Sequence, residues 1–179
     1  MMKRRLLILA AAVSSVLALS GCSTPKITDY AAQKPVLELR DYFNGTLDAY
    51  GIFTDRSGQV VKRFTVVMVC NWQGDQGVLD EAFSYSDGTT QRRVWRLQRL
   101  ADGRYTGQAD DVVGTAQGQQ SGNAFHWTYT LALPVDGRII EVQFDDWMYL
   151  MSDRVMLNKA VMSKWGVRLG EVTLSFFKR

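Results

Sequence analysis

The chain has 179 residues, with 21 Lys and Arg against 18 Asp and Glu, a formal net charge of +3. Three of those cations, Lys3, Arg4 and Arg5, precede an apolar run, and the part from Cys22 onward balances at 18 of each sign, so the basic excess that nucleic-acid binding needs is absent. At 46% hydrophobic and 22% charged residues the composition excludes disordered and polytopic membrane classes, and the part beyond position 21 is one domain, large enough to bury a core without disulfides or metals.

Met1 to Arg5 form a positively charged start and Leu6 to Leu19 an apolar segment of the length used for export, too short to span a bilayer comfortably. It ends in Leu19-Ser20-Gly21-Cys22, which resembles the lipobox of bacterial lipoproteins, where the thiol is alkylated by diacylglycerol and the chain is cut just before it. This predicts a cleaved signal peptide at 1–21, lipidation of Cys22, a tether over 22–35 and a folded domain over 36–179. Acyl chains at about 0.8 kcal/mol per buried methylene hold such a protein on a membrane. Ser23, where inner-membrane lipoproteins tend to carry Asp, points to the bacterial envelope and the periplasmic face of the outer membrane. An ordinary secretory signal with a chance Cys is the alternative.

Ser23 to Lys34 is polar and lacks an apolar period, as a spacer would. Beyond it, turn signals recur: Asp55-Arg56-Ser57-Gly58, Gln73-Gly74-Asp75-Gln76-Gly77, Ser86-Asp87-Gly88, Ala101-Asp102-Gly103, Gln120-Ser121-Gly122-Asn123 and Val135-Asp136-Gly137. Between them the apolar residues alternate. Phe64, Val66, Met68, Cys70 and Trp72 share one strand face, which makes Cys70 a core thiol. Phe125, Trp127, Tyr129, Leu131 and Leu133 share another, opposite His126, Thr128 and Thr130. The segment 155–165 fits a helix nearly as well as a strand and is read as a strand. The fold class expected is therefore all-β, an antiparallel meander of about eight to ten strands with no helix to cover a face, closed into a barrel.

Tyr42-Phe43-Asn44-Gly45, Tyr50-Gly51-Ile52-Phe53, Tyr85-Ser86-Asp87-Gly88, Gly122-Asn123-Ala124, Phe144 to Leu150 and Asn158 to Gly166 resemble the proteobacterial lipoproteins of domain-of-unknown-function family 3833, over essentially the whole mature domain. The resemblance implies a lipocalin-like barrel and genes beside enzymes that modify membrane fatty acids. It carries over no catalytic residue. Where true lipocalins have Gly-x-Trp near the first strand, this chain has Gly51-Ile52-Phe53.

Candidate chemistry is sparse. The single His126 lies on the face away from the aromatic stripe, no Gly-x-Ser-x-Gly elbow presents a nucleophile, and no His or Cys cluster has metal-ligand spacing. Neither a catalytic set, a metal nor a cofactor is called for. Asp145-Asp146 and Asp110-Asp111 each put adjacent carboxylates on opposite strand faces, with Asp146 expected to be hydrogen-bonded at a strand end. On Arg92 to Arg99, the residues Arg93, Trp95, Leu97 and Arg99 share a face, so two guanidinium groups bracket an apolar pair and would mark the two rims of a barrel. Either they snorkel outward or one meets an anionic headgroup at the mouth of a cavity. Glu81 would be their internal counterion, and Trp127 and Tyr129 line either a ligand cavity or a filled core. Two functions follow: a membrane-anchored binder of a fatty acid or phospholipid, with Arg93, Trp95, Arg99, Glu81, Trp127, Tyr129 and Asp146 as its site, or a structural lipoprotein that docks another envelope protein. An enzyme acting on an acyl chain ranks third.

Overall fold

The alternating segments form ten strands in a computed structural model that describes residues 24–135 and 137–179. They are β1 (Gly45–Asp55), β2 (Val60–Gln73), β3 (Gln76–Tyr85), β4 (Thr90–Arg99), β5 (Tyr105–Gln108), β6 (Ala116–Ser121), β7 (Ala124–Val135), β8 (Arg138–Leu150), β9 (Val155–Lys164) and β10 (Val167–Lys178). Every sequential neighbour pairs antiparallel, and β10 pairs with β1 from Leu47↔Lys178 to Asp55↔Gly170, which closes the barrel and leaves no edge strand among the described residues. The ambiguous segment 155–165 is β9, and its pairing with β8 from Gln143↔Ser163 to Leu150↔Met156 places Met156, Asn158 and Ala160 in the interior.

Parity decides the core. On β2, Phe64, Val66, Met68 and Cys70 are buried while Thr65, Val67 and Val69 face out. Burial pushes the Cys70 thiol up to about 12, so it stays a protonated packing group. Trp95, Leu97, Phe125, Trp127, Leu131, Val142, Phe144, Met156, Val172 and Phe176 complete the interior. Large rings fit because small residues oppose them: a Cβ on Gly118 of β6 would lie 2.1 Å from the ring of Trp127, its register partner on β7.

Two helical turns precede the barrel where the sequence showed none. Leu39–Tyr42 is one turn of α-helix whose Leu39 and Tyr42, three positions apart, are both buried. It closes the end of the barrel formed by the start of β1 and the end of β2. The Trp72 indole donates to the Phe43 carbonyl (2.8 Å), and the Tyr42 hydroxyl donates to the carbonyls of Phe176 (3.1 Å) and Arg154 (3.2 Å). Ile27–Tyr30, inside the stretch expected to be a free spacer, is a 3-10 turn, and the Tyr30 ring lies 5.6 Å from Trp147 and 5.4 Å from Tyr149 on the outer wall. The signal peptide and Cys22 lie outside the described residues.

Candidate functional site

In the barrel half away from the cap lies a cavity of about 180 Å³. Aromatic rings and aliphatic side chains from β1 to β4 and β7 to β10 line it, among them Phe53, Phe64, Trp95, Trp127, Phe144 and Leu174. A deeper space of about 60 Å³, between Leu39, Phe43, Leu97 and Phe125, continues toward the cap. Glu81, Trp95 and Trp127 border both. A larger concavity of about 700 Å³, bordered by Tyr50, Ile52, Arg63, Thr65 and Ser84, lies on the outer wall and holds no charged cluster.

A polar layer crosses the inner cavity. Arg93 is tied to Asp111, in the β5–β6 connection, by three short contacts: Nε to both carboxylate oxygens at 3.0 Å and Nη2 to Oδ2 at 2.7 Å. Its Nη1 stands 4.0 Å from Glu81 Oε2, and its guanidinium lies 5.4 Å from the centre of the Phe83 ring. Burial works against the Arg93 charge, but the bonds to Asp111 and the field of Glu81 more than offset it, and the guanidinium is held firmly cationic. Across the cavity Asp146 is buried, accepting from the Tyr129 hydroxyl (3.1 Å) and from the Asn158 amide. Burial raises Asp146 to about 6 and Glu81 to about 7, and in Glu81 the pull of Arg93 only partly counters it. Burial and the field of Asp146 hold the Tyr129 phenol neutral.

The structure revises several expectations drawn from the sequence. Arg93 and Arg99 do not form an equivalent pair of rim groups: Arg93 is enclosed in the cavity wall, whereas Arg99 sits at the capped end, 3.8 Å from Asp75. Glu81 is not the main counterion of Arg93, because Asp111 takes the guanidinium first. Strand parity set Asp111 on the face opposite Asp110 and assigned it no partner; it reaches Arg93 because the β4–β5 pairing runs up to Arg96↔Gln108 and the connection that follows is bonded to β7 through Val113 N–H to the Thr130 carbonyl and Ala132 N–H to the Asp111 carbonyl. Asp146 lies within β8, paired opposite Trp127, not at a strand end. Asn158 went unnoticed, since an Asn in an apolar strand gives no signal until its partner is known. Trp95, Trp127, Tyr129 and Glu81 do share one interior space. His126 lies on the outside, stacked on Trp147 at 4.2 Å and bonded to Asp145 at 2.8 Å.

The sequence matches the family described as "Protein of unknown function (DUF3833)" over residues 16–178. No curated protein matches it. Among solved structures, an S-type phycobiliprotein lyase from Guillardia theta superposes with a TM-score of 0.61 at 8% identity, covering 87% of this chain and 98% of that one. A protein of unknown function from the DUF3598 family of Nostoc punctiforme PCC 73102 gives 0.51 at 11% identity, covering 90% of this chain and 53% of that one. Apocrustacyanin C2 gives 0.43 at 13% identity, covering 88% and 71%. The first of these likenesses, with the ten-strand closure, makes the fold a lipocalin-like barrel.

Proposed function

The chain belongs to the DUF3833 family, and we propose that it is a lipid-anchored envelope protein that shelters an acyl chain of a fatty acid or phospholipid inside its barrel. The blind, aromatic-lined cavity carries this reading: it is closed at one end by the Leu39–Tyr42 turn, and it pairs a long apolar wall with one polar layer, as small-molecule sites do. At the opposite end, around the β7–β8 and β9–β10 hairpins, Val135, Ile139, Trp165 and Val167 are exposed, an apolar approach suited to a lipid. The volume, below the roughly 300–1,000 Å³ of pockets for larger ligands, limits the occupant to one chain or part of one unless the Phe53, Phe64, Phe83 and Tyr85 rings at the mouth move apart. Membrane attachment is supported by the sequence of the first 22 residues and by Ser23, which favours the outer membrane facing the periplasm.

The test is quenching of Trp95 and Trp127 fluorescence by bromine-labelled single-chain amphiphiles, with Trp95→Phe and Trp127→Phe as controls for which ring reports. Saturable quenching lost in the two variants supports the reading. Its absence leaves the exposed Ile139, Trp165 and Val167 as the surface to probe for a protein partner instead. For the anchor, Cys22→Ala should abolish lipidation and leave precursor still carrying Met1 to Gly21.

A further inference from the structure

We infer that the polar end of the occupant is a hydrogen-bond donor with positive charge, an alkyl ammonium, docked on Glu81, and not a carboxylate docked on Arg93. The inference rests on the ligand-binding reading above and deepens it.

Two carboxylates, Glu81 and Asp146, and one guanidinium, Arg93, line the cavity, and a third carboxylate, Asp111, is bonded to that guanidinium from the β5–β6 connection. Asp111 already occupies the fork of Arg93 through Nε and Nη2, the arrangement by which guanidinium best binds a carboxylate. A ligand carboxylate would therefore have to displace Asp111 or enter as a fourth anion in a low-dielectric space, where like charges repel most strongly. Asp146 is also engaged, with Tyr129 and Asn158 as donors.

Glu81 differs from both. Its side chain is only 12% exposed, it borders both cavities, and among the described residues no group donates a hydrogen bond to it; Arg93 stands off at 4.0 Å. A buried carboxylate without a donor is costly, so an ammonium that brings donors and a charge to it gains most of what the protein leaves unmade. Trp95 and Trp127 border the same space, and aromatic rings attract a cation. The aliphatic tail of such a ligand would then occupy the apolar remainder.

Burial raises Glu81 first; of the charged groups around it, Arg93 on β4 lowers it, and Asp111 in the β5–β6 connection, Asp146 on β8 and Asp80 on β3 itself raise it, while the neutral phenols of Tyr129 on β7 and Tyr85 on β3 line the same cavity. An alkyl ammonium stays charged to about pH 10. Its binding therefore requires ionised Glu81 and should tighten as pH rises from 6 to 8, through the value of about 7 to which burial has raised that group. A fatty carboxylate should show the opposite slope.

The experiment is calorimetric titration of the full chain with n-octylammonium, ethylammonium and octanoate at pH 6 and pH 8. The expected result is octylammonium binding at pH 8 about ten- to a hundredfold tighter than octanoate, weakening at pH 6 and lost in Glu81→Gln, with ethylammonium weaker for want of a chain. Because the pH slope is read on the unaltered protein, the test stands even if Glu81→Gln folds poorly. Octanoate binding as well as or better than octylammonium would overturn the ammonium assignment while leaving the lipid cavity in place. Ethylammonium binding equal to octylammonium would overturn the assignment of an amphiphile. Failure of all three to bind would remove the cavity reading itself.

Discussion

Arg93 and Asp111 show how one residue's environment changes its meaning. As a bare cation on an inward face, Arg93 looks like an anion trap; as half of a fork-to-carboxylate pair, with 14% of its side chain exposed, it is a structural strut. Arg93→Ala should then strand Asp111 and Glu81 near one another and cost roughly 3 kcal/mol in a denaturant melt, in line with breaking other enclosed pairs. Arg93→Met combined with Asp111→Leu should recover most of that loss, because an apolar pair of similar size replaces both charges at once. A double variant no more stable than the single one would show that the pair is not the strut argued here. At this scale the facing of Arg93, Trp95, Leu97 and Glu81 was legible from strand parity alone. The Asp111 contact was not, since it joins residues 18 positions apart through a connection whose path no local pattern specifies.

At the scale of elements, the hairpins were legible wherever Asp-Gly or Ser-Gly pairs supplied the backbone a tight turn demands. The β9–β10 hairpin has a different sequence, Trp165-Gly166, and its two residues both take positive φ, 52° and 77°. A Trp in the left-handed region is strained, and this one is also 88% exposed, with only the Lys164 ammonium over its ring at 4.7 Å. Trp165→Asn should therefore raise stability by about 0.5–1 kcal/mol, measured by thermal unfolding. A loss of stability would mean that the ring makes contacts in solution that outweigh the strain. The Leu39–Tyr42 turn was illegible for a physical reason: four residues do not complete the two or more turns over which an apolar stripe can be recognised. What fixes it is tertiary, through Leu39 and Tyr42 buried in the barrel end and the Trp72 bond to Phe43.

The whole molecule pairs a ten-strand shell, whose closure satisfies every edge, with an interior that keeps ionisable groups away from water. The two raised carboxylates have a consequence for stability. Glu81 at about 7 and Asp146 at about 6 lie above their unfolded values, so the native state favours their protons; the associated stabilisation is complete below about pH 4 and is lost as pH rises through 6 and 7. Asp48, Asp55, Asp80, Asp87 and Asp102 on the surface are shifted the other way and act only at lower pH. Thermal melts should accordingly show a midpoint that falls between pH 5 and pH 7.5, and the fall should flatten in Glu81→Gln and Asp146→Asn. A midpoint that climbs across that window would contradict the burial of these groups. A lipid bound during purification would offset part of the slope, because it supplies Glu81 with the partner that the protein withholds. The central claim, that the barrel holds a single-chain amphiphile, is tested most directly by native mass spectrometry of the protein purified without added ligand, followed by organic extraction. The account predicts one amphiphile per chain, released on denaturation; a bare chain mass with nothing in the extract would contradict it.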